Sequence, residues 1–148
     1  MIALACDHGG FELMEGVREF LGSAGYEFKD FGTFSAESCD YPVIVAPAAK
    51  AVSDGICDNG IFICGTGIGM SMAANKTPGI RAGLCTNLYM AEMTRCHNDA
   101  NVLVLGGRVT EIETGIEIVK IFLNTAFSCK EKHRRRIAML DSLDMHSR

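Results

Sequence analysis

The sequence predicts an α/β fold, a three-layer αβα sandwich with a Rossmann-like parallel sheet of about five strands and a C-terminal helical arm. Short apolar segments alternate with longer amphipathic segments along the chain. The apolar segments also lack the alternation of a sheet with one solvated face, which indicates strands covered on both sides. The length of 148 residues suits one domain over residues 1–148 that needs neither disulfides nor metal to fold.

The predicted strands are short apolar runs that are expected to be buried on both faces. They cover residues 2–6, 28–31, 60–64, 79–84 and 101–105. The first run follows Met1 without the basic segment and small-residue cleavage site of a signal peptide. We therefore expect a cytoplasmic protein.

The predicted helices lie between these strands. Apolar residues recur at helical spacing over residues 11–21, and Gly25 suits the end of that helix. Further helices are expected near residues 43–52, 70–76, 88–96 and 111–124. A polar turn then leads into a last amphipathic helix, so residues 128–148 are predicted to form a basic C-terminal arm that contacts a partner subunit, although a solvated charged face is the plainer interpretation.

Composition excludes several classes of function. The net charge of −4 argues against general nucleic-acid binding, and no run approaches the ~20 apolar residues of a membrane span. Seven scattered cysteines form no disulfide framework and no Cys-x-x-Cys pair. We therefore expect reduced thiols, no zinc site and no cofactor.

Polar and glycine-rich segments follow the predicted strands. Parallel α/β sheets bind ligands beyond the carboxyl ends of their strands, so these segments are the candidate site. They are residues 6–10 (Cys-Asp-His-Gly-Gly), residues 64–69 (Cys-Gly-Thr-Gly-Ile-Gly) and residues 106–108 (Gly-Gly-Arg). A fourth polar segment, residues 95–99, ends the helix before the last strand.

The turn of residues 65–69 is predicted to bind an anion, because its glycines let backbone N–H groups converge at the start of a helix. A dinucleotide site is disfavoured. The dinucleotide fingerprint is Gly-x-Gly-x-x-Gly after the first strand, with an acidic residue about 20 positions later. This sequence lacks that arrangement. A Walker loop is excluded, since no Gly-Lys-Ser/Thr follows.

The chemistry-bearing side chains each have a plainer interpretation. Cys64, where a strand meets the anion turn, is a candidate base or nucleophile, yet many strand-end cysteines are core residues. His97 either acts in a site or caps a helix end. Asp7 and His8 follow the first strand at a place where charge is costly without a ligand or a partner. Arg108 is either a phosphate clamp or part of a surface ion pair.

The sequence resembles the type B ribose-5-phosphate isomerases, a group that also includes galactose-6-phosphate isomerase subunits. The similar segments span nearly the whole chain in the family's order. They are residues 6–10, 30–33, 40–42, 64–69, 73–76, 79–82, 97–102 and 107–109.

The resemblance implies that ribose 5-phosphate and ribulose 5-phosphate are interconverted through an enediol, without metal. Cys64 would move the proton between C2 and C1, helped by Thr66. The backbone amides of the turn, at Gly65, Gly67, Ile68 and Gly69, would stabilise the developing oxyanion. Asp7 and His97 would open the furanose ring.

The resemblance also implies a homodimer, or a tetramer, in which two subunits share each site. Tyr41 and Asn98 would position sugar hydroxyls. His8 and Arg108 would grip the phosphate together with Lys132 and Arg136 of the partner's arm. Position 132 is an arginine in most relatives, so the lysine here exchanges a bidentate contact for a point charge. Arg134 or Arg135 could compensate.

Two details refine this assignment. Some family members use a glutamate base just after the glycine-rich turn, where this chain has Met70, so Cys64 is the expected base. His97 favours a pentose over galactose 6-phosphate. An isomerase of allose or galactose 6-phosphate stays an alternative, as do a phosphosugar- or nucleotide-sensing module without catalysis and a covalent enzyme that pairs Cys64 with His97.

Overall fold

The computed structural model describes residues 1–144, which form a five-stranded sheet and six helices. The elements, in chain order, are β1 (Ile2–Cys6), α1 (Phe11–Ser23), β2 (Phe28–Asp30), α2 (Tyr41–Ser53), β3 (Asn59–Cys64), α3 (Ile68–Ala74), β4 (Ala82–Leu84), α4 (Leu88–Asn98), β5 (Val102–Gly106), α5 (Ile112–Asn124) and α6 (Glu131–Asp144). The strand order is β2-β1-β3-β5-β4, and every neighbouring pair is parallel. The predicted parallel αβα sandwich is confirmed.

The two faces of the sheet bury different side chains because strand residues alternate between faces. On β1, Leu4 packs with α1, α4 and α5 on one face, whereas Ala3 and Ala5 pack with α2 and α3 on the other. The second face is lined by small residues, including Ala48 and Ala49 of α2. A fully buried Phe62 or Phe122 contributes about 1.5–3 kcal/mol to such a core.

The two edge strands differ from the sequence prediction. β2 and β4 span three residues each and keep partly exposed side chains, so residues 79–84 do not form a strand buried on both faces. Each edge strand pairs with one neighbour over three residues, β2 with Ile2–Leu4 of β1 and β4 with Val102–Val104 of β5, and both neighbours continue for two more residues. β1, β3 and β5, in the centre, are buried as predicted, apart from the half-buried Asn59.

Two helices begin earlier than the sequence predicted. α2 starts at Tyr41 with a proline in its first turn, a favoured position because that N–H would lack a helical partner. α3 starts at Ile68 because Gly67, with φ of 79°, turns the chain directly into the helix.

The C-terminal arm contacts α4 through its first residues and Arg81, the residue before β4, near its end. The Ser128 N–H donates to the Cys96 carbonyl at 3.0 Å, and Arg81 pairs with Asp141 at 3.1 Å. The apolar residues Met139, Leu140 and Leu143 of α6 stay exposed. None of the helices within residues 1–144 is both long and apolar enough to cross a lipid bilayer.

Candidate active site

The loops that follow β1, β3 and β5 meet at the carboxyl edge of the sheet. Cys64 is the last residue of β3 and pairs in register with Gly106 of β5. The Gly107 N–H donates to the Cys64 carbonyl at 2.8 Å, and the Arg108 N–H donates to the Gly65 carbonyl at 2.9 Å. The Asp7 N–H donates to the carbonyl of Ile63, in β3, at 3.1 Å. Backbone hydrogen bonds therefore hold the three loops together beneath the thiol.

Glycines make this close approach possible. A methyl group built on Gly9 would lie 2.8 Å from the Cα of Gly65, and one on Gly107 would lie 2.6 Å from the Gly9 carbonyl oxygen. A methyl group on Gly67 would clash with the Leu84 side chain, in addition to the strain of its positive φ. Larger residues at these positions would push the loops apart.

The turn of residues 65–69 presents backbone amides beside Cys64. The first N–H groups of α3 have no partner inside the helix, and the Thr66 hydroxyl oxygen accepts from the Ile68 N–H at 3.3 Å. The Tyr41 ring lies against this turn, since a methyl group on Gly69 would be 2.7 Å from its Cζ. Arg108 flanks the other side, because a methyl group on Gly65 would be 3.4 Å from its Nη1.

Asp7 and His8 are fixed by backbone donors. The Asp7 side chain is buried, and its Oδ1 accepts from the N–H groups of Gly9 at 2.9 Å and Gly10 at 3.1 Å. The Nδ1 of His8 accepts from the Cys39 N–H at 3.3 Å. In a neutral ring this bond places the proton of His8 on Nε2, which is then the donor toward a ligand.

The cysteines fall into distinct environments. Burial raises the pKa of Cys6 to about 12 and that of Cys85 to about 11, so both are core thiols that stay protonated. Burial also raises the pKa of Cys57. Cys64 is 4 % exposed and packs against the core at the base of the glycine-rich turn.

Three further predicted site residues, His97, Asn98 and Arg136, lie elsewhere. His97, Asn98, His133 and Arg136 line a cavity of about 210 Å³ between α4 and α6. We call these four residues the α4–arm group, and we call the residues around Cys64 (Asp7, His8, Tyr41, residues 64–69 and Arg108) the carboxyl-edge group.

The two groups lie at opposite ends of the strands: the carboxyl-edge group follows the strand ends, and the α4–arm group lies where the strands begin. α4 ends at Asn98, just before β5 begins, and the Asn98 carbonyl accepts from Nε of Arg81, which precedes β4, at 3.1 Å. Cys64 lies instead beside the last residue of β5. Since each residue of a strand advances about 3.3 Å, the five residues of β5 separate the groups by about 13 Å within one chain.

The basic residues of the arm point in different directions. Arg136 lines the cavity of the α4–arm group, whereas Arg134 and Arg135 line a separate groove beside Met139. Nε of Arg134 also donates to the Cys129 carbonyl at 3.0 Å. Lys132 is exposed. Arg134 and Arg135 are therefore directed away from His97.

Sequence reasoning did not reveal two contacts of the site. The ring of His133 packs on His97 with centroids 4.3 Å apart, and Cys39 holds His8 from a loop 31 residues away. No local motif marks either contact, because both join segments that are distant in sequence. Within residues 1–144, no three His, Cys, Asp or Glu side chains are grouped in a way that could hold a metal ion.

A thiol, a buried carboxylate and glycine-rich amides at the carboxyl edge of a parallel sheet are typical of an enzyme acting on a small anionic substrate. Residues 2–140 match the model of the ribose/galactose isomerase family. The chain belongs to this family of sugar-phosphate isomerases, as its resemblance predicted.

Known relatives agree with this assignment. Ribose-5-phosphate isomerase B of Escherichia coli K12 is 42% identical over 143 residues, covering 97% of this chain and 95% of the relative. The structure of Clostridium thermocellum ribose-5-phosphate isomerase B superimposes with a TM-score of 0.96 at 46% identity, covering 99% of both chains. Galactose-6-phosphate isomerase subunit LacB of Clostridium acetobutylicum is 34% identical, covering 97% of this chain and 83% of the relative.

Proposed function

We propose that this enzyme interconverts D-ribose 5-phosphate and D-ribulose 5-phosphate through a cis-enediol, with Cys64 as the base. The observation that carries the proposal is the position of Cys64 at the end of β3, directly before the amides of residues 65–69, where backbone hydrogen bonds join its loop to those of Asp7 and Arg108. The high similarity to ribose-5-phosphate isomerases B supports the pentose substrate.

The proton transfers follow from the chemistry of the open-chain sugar. Cys64 removes the proton from C2 and returns it to C1, while Thr66 assists. The amides of the turn stabilise the negative charge that develops on the oxygens of the enediol, which is the kind of preorganised stabilisation that contributes most to catalysis. In this mechanism no step requires a metal or a cofactor.

Phosphate binding is assigned to His8 and Arg108 of one subunit. The Nε2–H of His8 is available because Nδ1 accepts from Cys39, and the Arg108 guanidinium flanks Gly65. Lys132 and Arg136 of the partner's arm complete the grip. Tyr41, beside Gly69, and Asn98 position the hydroxyls.

We propose that each active site combines the carboxyl-edge group of one subunit with the α4–arm group of another. Cys64 and His97 act on adjacent atoms of one sugar, so both must lie within hydrogen-bond reach of it. In one chain they are separated by about the length of β5. The exposed apolar side chains of α6 support a homodimer in which residues 128–144 form an arm that contacts the partner; residues 145–148 of the predicted arm lie outside the described part of the chain.

The whole chain is then one sugar-phosphate isomerase domain. Its seven cysteines are all free thiols, which supports a cytoplasmic location. The same site geometry would serve a six-carbon sugar phosphate, and the similarity to a galactose-6-phosphate isomerase subunit favours testing that substrate as the second candidate. The ratio of kcat/KM values for ribose 5-phosphate and allose or galactose 6-phosphate decides between them.

A mixing experiment tests the base and the shared site together. Cys64→Ala and His97→Asn are each expected to lower kcat by about 10²–10⁴-fold, the usual contribution of general acid–base groups. After subunit exchange in an equal mixture, half of the dimers contain one intact site, so activity should recover to about a quarter of the wild-type value.

The exposed Cys129 provides the matched control, since Cys129→Ser changes a thiol outside both groups and should leave kcat unchanged. Substantial activity of Cys64→Ala alone would refute the base. A mixture that stays as inactive as its components would refute the sharing of sites between subunits.

A further inference from the structure

We propose that His133 is a positioning residue that orients the His97 imidazole for opening of the sugar ring. This inference rests on the proposed function, in which His97 and Asp7 exchange protons with the furanose. The proposal rests on the packing of the His133 ring against the His97 ring of α4, and on a hydrogen bond between His133 and the Ser128 hydroxyl.

His133 is one of two buried polar or charged residues in the part of the chain that the structure describes; the other is Asp7. It is 4 % exposed although it lies near the start of α6, among the exposed residues Lys132, Arg134 and Arg135. A histidine in such a basic, solvent-exposed stretch is ordinarily exposed too. Its burial indicates a specific packing partner.

That partner is His97. The two imidazole rings lie with centroids 4.3 Å apart at an interplanar angle of 49°, while His97 itself remains exposed on its other side. Aromatic pairs at this separation restrict each other's rotation. An exposed histidine at a helix end would otherwise be free to change rotamer, and misplacing a catalytic group by about 1 Å costs as much as ~10² in rate.

Ser128 fixes the ring of His133. Its Oγ lies 2.8 Å from Nδ1 of His133, and its N–H donates to the carbonyl of Cys96, the residue before His97, at 3.0 Å. Ser128 is thus hydrogen-bonded both to the α4 backbone and to His133, and the His133 ring packs on His97 of the same helix α4. The orientation of His97 is therefore set by the segment that precedes α6.

The electrostatic surroundings favour a neutral His133. Desolvation lowers its pKa below the ordinary value of 6.5. Neighbouring basic groups lower it further: His97 on α4, and Lys132, Arg136 and Lys130 of the arm. A neutral His133 therefore places no positive imidazole against the His97 ring.

Ring opening needs two proton movements. The O1–H and C1–O4 bonds break, a C1=O1 carbonyl forms and O4 gains a proton; one group accepts the O1 proton and the other supplies the proton to O4. Cys64 takes no part in this step. Ribulose 5-phosphate is already open, so its C1 proton can exchange with solvent through Cys64 without His97.

This difference defines the test. For His133→Ala, we expect turnover of ribose 5-phosphate to fall at least about tenfold in kcat, a fraction of what a general acid–base group contributes. Deuterium exchange at C1 of ribulose 5-phosphate, followed by NMR in heavy water, should stay within about twofold of the wild-type rate, because Cys64 is unchanged. The decrease in kcat for ribose 5-phosphate should be smaller for His133→Asn, because the asparagine amide can keep the hydrogen bond to Ser128.

Glu19→Gln, an exposed residue of α1 outside both groups and outside the arm, is the control and should leave both rates unchanged. Parallel loss of turnover and exchange in His133→Ala would overturn the proposal and indicate a structural role. Full turnover would overturn it as well. If His133→Ala does not fold, Ser128→Ala removes the hydrogen bond to His133 and keeps the ring. The proposal then requires that turnover of ribose 5-phosphate falls while exchange at C1 of ribulose 5-phosphate is retained. A wild-type enzyme that performs neither reaction would refute the proposed function itself.

Discussion

Replacing Gly107 with alanine places a methyl group between the loops that follow β1 and β5. The new carbon would lie 2.6 Å from the carbonyl oxygen of Gly9 and 2.9 Å from the Cα of Gly10. A close carbon–oxygen contact in proteins is about 3.3 Å, so one loop must move by about 0.7 Å. Both obstacles are backbone atoms, and no side-chain rotamer can relieve the clash.

The displacement has two expected consequences. Overpacking of this kind costs about 1–3 kcal/mol, which lowers Tm by roughly 3–10 °C in a chain of this size. The same movement shifts Asp7 and Arg108, which border the two loops, relative to Cys64. Because a displacement of about 1 Å can cost ~10² in rate, we expect kcat/KM for ribose 5-phosphate to fall by about 10- to 100-fold.

The matched control is Gly22→Ala. Gly22 lies in the last turn of α1, and nothing lies within 4 Å of a methyl group built there. This change should raise stability by about 0.5–1 kcal/mol and leave kcat/KM unaltered. Thermal unfolding and initial rates of ribulose 5-phosphate formation measure both quantities. A Gly107→Ala enzyme with wild-type Tm and kcat/KM would refute the reasoning, and a lowered Tm with full activity would refute its catalytic half.

Two further predictions concern the C-terminal arm. Lys132→Arg should restore a bidentate phosphate contact worth about 1 kcal/mol, lowering KM for ribose 5-phosphate by about fivefold with little change in kcat; a KM that is unchanged or higher would count against a phosphate role for position 132. Because the pKa of His133 is lowered in the folded protein, docking of the arm is most stable above pH 6.5 and weakens as the pH falls below that value. The protection of the α6 amides, which is the measured exchange rate divided by the intrinsic rate at the same pH, should therefore decrease between about pH 7.5 and about pH 5.5 in the wild type, and much less in His133→Phe, whose ring does not titrate.

The sequence was sufficient to predict the central strands and the carboxyl-edge group. β1, β3 and β5 are continuous apolar runs, and the residues that follow them must meet because parallel strands end at one edge. The predicted edge strands were less accurate: β4 begins at Ala82, which pairs with the first residue of β5, and not at residue 79. The composition of residues 79–84 does not indicate where the pairing of β4 with β5 begins.

The α4–arm group shows what local patterns leave out. His97 and His133 are 36 positions apart, and their contact depends on how the segment before α6 crosses the end of α4. The basic residues of positions 132–136 are equivalent in composition, yet Arg136 lines the cavity beside His97 and Arg135 does not. The difference comes from helical periodicity combined with the docking angle of α6, and only the tertiary structure supplies that angle.

The separation of the two groups has a consequence for how the enzyme is built. Cys64, Asp7 and the glycine-rich turn belong to the rigid centre of the sheet, where backbone hydrogen bonds and close glycine contacts fix their positions. His97 and Arg136 are exposed in one chain and are held by α4 and the arm. If a second subunit supplies them, enediol formation depends on the residues around Cys64 within one subunit. Ring opening and part of the phosphate binding then depend on assembly of the dimer. Substitutions in the arm should then affect ring opening and substrate affinity before they affect proton transfer at carbon.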